Sequence, residues 1–266
     1  MRLAFIGGGM MGEAVIAGAI RNDISGAGSI AVCDVAAARR QHLSSKYQVK
    51  ATGDAAVATN GADIVVLAVK PQEFAVAASQ LKGRLGGDQT VMSIMAGVRI
   101  ETIRDLLGHD QVVRAIPNTP ATISESMTVW TATPTVQEAA RDAVRMLLGV
   151  LGKEIYVDSE KYVDMATAVS SSGPAYIFLV MEAMIDAAVH IGLRREMAVP
   201  MVIQTLLGSA RYAQESGRHP AELRNQVTSP GGTTTEGLLE LEEAGLRAAF
   251  ARAIEAAYLK AQELGD

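Results

Sequence analysis

The chain has too little cysteine to be held by disulfides: Cys33 stands alone among 266 residues, and a single thiol forms no intrachain bridge. Aromatic residues make up only 4% of a sequence that is 49% hydrophobic, so its core must be built from Ala, Val, Ile, Leu and Met, which suits helix-rich layers. Basic charge is also short. The formal net charge is -5 and no Lys/Arg run occurs, so general attraction to a phosphate backbone or an anionic lipid surface is excluded, and no nucleic-acid partner is expected. Long uncharged apolar runs are missing as well: Ala175 to Leu193 is interrupted by Glu182, Asp186 and His190, and no membrane domain is expected. The chain opens directly on an apolar strand pattern instead of a basic segment followed by a signal-like run, which makes the cytoplasm the expected compartment. His42, His109, His190 and His219 show no metal-ligand spacing with acids or Cys33, so no metal site is expected.

Short apolar runs are present in a regular order. Leu3–Ile6, Ile30–Cys33, Ile64–Ala68, Val91–Met95 and Val112–Ile116 read as buried strands separated by helical patterns, the rhythm of a parallel sheet. Val129–Thr131 and Glu154–Val157 extend that sheet around a helix from Thr135 to Leu148. Strand signals stop after Asp158. From Glu160 onward, Tyr176–Ile191, Met197–Gln214, Thr233–Glu243 and Leu246–Leu264 carry apolar residues at three- and four-residue spacing. The expected fold is α/β, with a Rossmann dinucleotide-binding domain over residues 1–158 and an all-helical domain over 159–266. Its Ala/Met/Leu-rich helices are too apolar for a solitary small bundle, so burial against a second copy is expected.

Gly7, Gly9 and Gly12 form G-x-G-x-x-G between the first strand and a helix. The first glycine permits the tight turn, the second lets a pyrophosphate approach the backbone, and the third lets helix pack on strand; the amides of Met10 and Met11 at the helix head face the phosphates. Asp34 lies 22 residues beyond Gly12, at the end of the second strand, where a carboxylate accepts hydrogen bonds from the adenosine ribose. Alone it favours NADH, but Arg39 and Arg40 follow, and they read either as a solvated helix face or as ligands of a 2′-phosphate. NADH and NADPH both remain open. Ala68-Val69-Lys70-Pro71 leaves a strand at the ligand-binding edge, with Pro71 in a first helical turn. Lys70 is either a surface charge or a group beside the nicotinamide. Ala96 and the Pro117-Asn118-Thr119-Pro120 turn end on the same edge and leave room for the nicotinamide ring.

The segment Val227-Thr228-Ser229-Pro230-Gly231-Gly232-Thr233-Thr234-Thr235 feeds a helix. Free amides and hydroxyls there suit a small carboxylate, although a Thr-capped helix start with no ligand fits the same residues. With IGGGMMGEA from Ile6, AVKPQ from Ala68, RAIPNTP from Arg114, SSSGPAY from Ser170 and HPAELRNQVTSPGGTT from His219, the whole chain resembles the pyrroline-5-carboxylate reductases.

That resemblance implies reduction of the C=N bond of 1-pyrroline-5-carboxylate to L-proline by a homodimer, assembled further into a ring of five dimers, whose helical domains complete each active site. It places NADPH or NADH on Gly7 to Gly12, Asp34, the Ala68–Lys70 turn and Ala96. The substrate carboxylate falls to Ser229 and the amides of Gly232, Thr233 and Thr234, with the Thr234 hydroxyl at the ring nitrogen and Glu160 nearby. Thr234 and Lys70 are the residues nearest the chemistry, the former for orientation and the latter for the local field. The chain departs from the family at Ser171 and Glu236, and its Asp34-Val35 pair stands where NADPH-preferring relatives place Ser, Asn or Arg. A β-hydroxyacid dehydrogenase is the enzymatic rival, but the stretch Gly173 to Leu179 lacks the lysine such enzymes use. A dinucleotide-binding protein without turnover is the other alternative.

Overall fold

The computed structural model describes residues 1–265. Eight strands form one sheet: β1 (Leu3–Ile6), β2 (Ile30–Cys33), β3 (Lys50–Thr52), β4 (Ile64–Leu67), β5 (Thr90–Ser93), β6 (Val112–Ile116), β7 (Ser126–Ala132) and β8 (Gly152–Tyr156). Their order is β3-β2-β1-β4-β5-β6-β7-β8, which reverses at β1 as a doubly wound sheet requires. Pairing is parallel except between β6 and β7, where the expected parallel rhythm breaks: a five-residue 3₁₀ turn over Thr119–Ile123 is too short to carry the chain back across the sheet, so β7 returns alongside β6.

Strand alternation sends successive residues to opposite faces. Leu3, Phe5, Val32 and Val66 pack beneath α1 (Met10–Arg21) and α2 (Ala37–Tyr47). Ala4, Ile6, Val65 and Leu67 face α3 (Ala55–Thr59), α4 (Phe74–Leu81) and α5 (Ile100–Leu107). The fully covered side chains of Phe5, Ile16, Leu43 and Leu67 each contribute about 1.5–3 kcal/mol by leaving water. α6 (Glu138–Gly149) covers the β7–β8 end with Val144 and Leu147.

α7 (Lys161–Ala166) runs through a π-helical turn, Thr167–Ser171, into α8 (Gly173–His190). α9 (Arg195–Ser216), α10 (Pro220–Gln226), α11 (Thr233–Glu243) and α12 (Leu246–Glu263) follow. By packing the chain forms two compact units: residues 1–172 together with the C-terminal residues from Ala257, and residues 173–256. The second unit is entirely helical. It buries little of its apolar surface: α8 has no buried residue and α9 only Ala198 and Val202.

Candidate functional site

The glycine loop takes its shape from close backbone approach. Gly7 adopts φ +94°, and a Cβ there would stand 2.7 Å from the carbonyl carbon of Ala68. Gly12 is equally confined, since its Cβ would lie 2.8 Å from the Gly7 oxygen. Gly9 differs: nothing lies within 4 Å of the Cβ position, and no side chain caps the helix it precedes. The amides of Met10, Met11 and Gly12 head α1 with no carbonyl of their own helix in front of them. An open approach at Gly9 towards a positive helix end is what a pyrophosphate needs, so these residues fit a dinucleotide.

Beside the loop lies a cavity of about 520 Å³ at the C-terminal edge of β1, β2 and β4. Gly7, Gly9, Asp34, Ala68, Val69 and Lys70 all line it. Asp34 is held facing the loop, its two carboxylate oxygens accepting from the Gly8 amide at 2.8 Å and the Ala36 amide at 2.9 Å. Val35, after β2, and Gly53, after β3, line the same cavity as Lys70, which follows β4. Pro71 opens a 3₁₀ turn with Lys70 at its cap. Cys33 is 6% exposed, and burial together with the charges of Asp34 and Asp54 pushes its thiol up, which suits packing and not nucleophilic work.

Sequence reasoning missed two features here. Gly8 is confined too, like Gly7 and Gly12 and unlike Gly9, because a Cβ would run into the Leu43 side chain. Glu13, in the first turn of α1, gathers Arg39, His42, Lys46 and Tyr47 from α2. The signal was present as an acid one residue after Gly12 and as basic residues repeating along one face of the next helix.

Ala96 is half-buried behind β5 and packs on Ile116, Val129 and Val163. Asn118, in the turn after β6, donates to the Ser170 carbonyl at 3.1 Å, and the Ser170 hydroxyl donates to the Met127 carbonyl at 3.2 Å. RAIPNTP and SSSGPAY, 52 residues apart at these positions, are thereby tied at the π-helical turn, a feature that often marks functional sites. Glu160 accepts from the Ile100 amide at 2.8 Å and from Arg114 at 2.7 Å. Arg114, 1% exposed on β6, also donates to Asp164 at 2.6 Å, and its Nε has no partner.

In the helical unit, Gly231 adopts φ +65° and Gly232 caps α11 with no side-chain hydrogen bond. Thr235 bonds back to the Ser229 carbonyl at 2.7 Å, fixing the loop while the amides of Thr233 and Thr234 head the helix. The Thr-capped start weighed from sequence is not what forms. Thr233 is exposed and Thr234 half-buried. His219 accepts from the Ala221 amide and is a structural cap.

Residues 160–264 match the family described as pyrroline-5-carboxylate reductase dimerisation, and residues 2–97 match NADP oxidoreductase, coenzyme F420-dependent. A pyrroline-5-carboxylate reductase of Synechocystis is 38% identical over 100% of this chain and 98% of its own length. The chain belongs to the pyrroline-5-carboxylate reductase family. A structure of a pyrroline-5-carboxylate reductase from Coxiella burnetii superposes with a TM-score of 0.93 at 37% identity, covering 100% of this chain and 98% of that one. The Plasmodium falciparum pyrroline carboxylate reductase, with NADP bound, gives 0.90 at 28% identity, covering 100% and 98%. Family membership accounts for the α/β Rossmann architecture, for the helical dimerisation segment, and for an oxidoreductase site that takes an NAD(P) dinucleotide.

Proposed function

We propose that this chain reduces 1-pyrroline-5-carboxylate to L-proline with NADH or NADPH, the last step of proline biosynthesis, in the cytoplasm. The bound dinucleotide supplies hydride to the C=N carbon. Gly7, Gly9 and Gly12 with the Met10 and Met11 amides hold its pyrophosphate, Asp34 receives the ribose hydroxyls, and Ala68, Val69 and Ala96 shape the walls. Lys70, after β4, tunes the local field beside the nicotinamide. Residues 1–158 do this work, and 159–266 bind substrate and join the copies.

The observation that carries the substrate reading is the head of α11, where Gly232 leaves the helix without a side-chain cap. That helix head receives a small carboxylate through the amides of Thr233 and Thr234, with Ser229 alongside, and through that of Gly232 once it turns from the Ser229 carbonyl, to which it donates at 3.0 Å. The Thr234 hydroxyl hydrogen-bonds the ring nitrogen and fixes which face of the imine is presented; with so weak an acid, the proton comes from water or from an imine already protonated. Glu160, held by Arg114 and the Ile100 amide, is the acidic side chain placed near the substrate. The working assembly is a homodimer, further associated as a ring of five dimers.

Absorbance loss of NADH and NADPH on adding pyrroline-5-carboxylate tests the reading, with a 3-hydroxy acid and oxidised cofactor as the contrast. Turnover of the imine is expected; activity confined to the hydroxy acid overturns the proposal. Thr234→Ala is expected to lower kcat/KM for the imine at least about tenfold while dinucleotide affinity stays put, as loss of one reacting-site hydrogen bond does.

A further inference from the structure

Two arginines of α2 bond to the backbone of residues that line the dinucleotide cavity, Arg39 to Gly9 and Arg40 to Asp34 and Val35. The Arg39 guanidinium donates to the carbonyls of Gly8 and Gly9 and pairs with Glu13. Glu13 also accepts from Lys46 at 3.0 Å and from the Tyr47 hydroxyl at 2.8 Å, and lies 3.1 Å from His42 Nε2. Burial alone would raise the Glu13 carboxyl, but hydrogen bonds from Lys46, His42, Tyr47 and Arg39 outweigh it and hold its pKa at about 2. Glu13 is therefore anionic at any working pH, and it keeps Arg39 drawn against the glycine loop. Arg40 donates to the carbonyls of Asp34 at 2.8 Å and Val35 at 3.0 Å.

The lining of the cavity includes the Asp34 carboxylate and the uncharged, 89% exposed Val35, and neither arginine. A ribose 2′-hydroxyl donates to a carboxylate, whereas a 2′-phosphate brings negative charge to the same place and needs a cation to meet it. We propose that this chain prefers NADH, with Asp34 reading the ribose and Glu13 acting as the positioning residue that withholds Arg39 from a 2′-phosphate. The inference rests on the dinucleotide reading given above and narrows it to one cofactor.

The test is kcat/KM for NADH and for NADPH with pyrroline-5-carboxylate, alongside Kd for each nucleotide by fluorescence titration without imine. The wild type is expected to favour NADH at least about tenfold, the scale of one like-charge contact. Asp34→Ser should narrow that ratio. Adding Glu13→Gln to Asp34→Ser should raise kcat/KM for NADPH a further threefold or more, roughly, with NADH unmoved, and Arg39→Ala should cancel the gain. Glu13→Asp should keep the wild-type ratio. A purely structural Glu13 would lower both cofactors by one common factor, and that result overturns the proposal, as does a wild type that favours NADPH. If the imine is not turned over, the proposed reaction fails on its own; unequal Kd values favouring NADH then still support the present inference, and equal ones sink it.

Discussion

Gly9 and Gly12 are three residues apart at the head of α1, yet glycine is required at each for a different reason. At Gly12 the demand is internal, because a methyl group would press on the Gly7 carbonyl at 2.8 Å. At Gly9 the protein itself sets no steric limit, and its φ of -62° is open to alanine. Gly12→Ala should therefore destabilise the fold by about 1–3 kcal/mol, the usual cost of overpacking. Gly9→Ala should leave the melting temperature unchanged or slightly raised, through a less flexible unfolded chain, while weakening dinucleotide binding about tenfold or more by occupying the pyrophosphate's approach. Thermal denaturation and nucleotide titration of both variants check this; equal loss of stability in the two would show that Gly9 serves the fold. The spacing of the three glycines was legible in the sequence because each obeys a positional rule. The Glu13 cluster was not, since its members come from two helices up to 34 positions apart and only packing on the same sheet face brings them together.

At the scale of elements, apolar runs announced every strand except β3. Lys50-Ala51-Thr52 has no such run, because an edge strand of three residues needs little burial. The antiparallel turn of β7 was equally hidden, since a buried strand has the same composition whichever way it points. Glu160 was found as a candidate by its place at the head of α7, but its partner Arg114 lies 46 residues earlier on β6 and reads in sequence as a charge within an apolar run. Burying that guanidinium required both Glu160 and Asp164. Arg114→Met should consequently cost about 3–5 kcal/mol in urea denaturation, because two carboxylates lose their common counter-charge. It should also loosen the start of α5, whose first amide donates to Glu160. A loss below about 1 kcal/mol would mean that the carboxylates find water instead, as surface pairs do.

For the whole molecule, the surplus of apolar surface decides the assembly. Phe178, Leu179, Met201, Ile203 and Leu207 are 43–65% exposed on α8 and α9, far more than a lone bundle leaves to water. Within the helical run Lys161–His190 an 18-residue window has the length and apolarity of a membrane span, and 6% of that window is buried. The same surface has two competing covers, a bilayer or a second chain. Glu182 and Asp186 are exposed within that run, and charge on such a helix is costly in lipid but tolerable at the rim of a protein interface. Membership of the dimerisation family favours the second chain. Light scattering without detergent should give a mass at least twice the 28.0 kDa of one chain. Phe178→Glu combined with Leu207→Glu should move it towards one chain and abolish imine reduction. The nucleotide cavity, lined wholly by residues 6–80, should keep its NADH affinity within about threefold, because sites with no shared partners respond independently. Recovery of the wild type with lipid vesicles, or a monomer that reduces the imine at full rate, would show that these helices are covered by something other than a second copy.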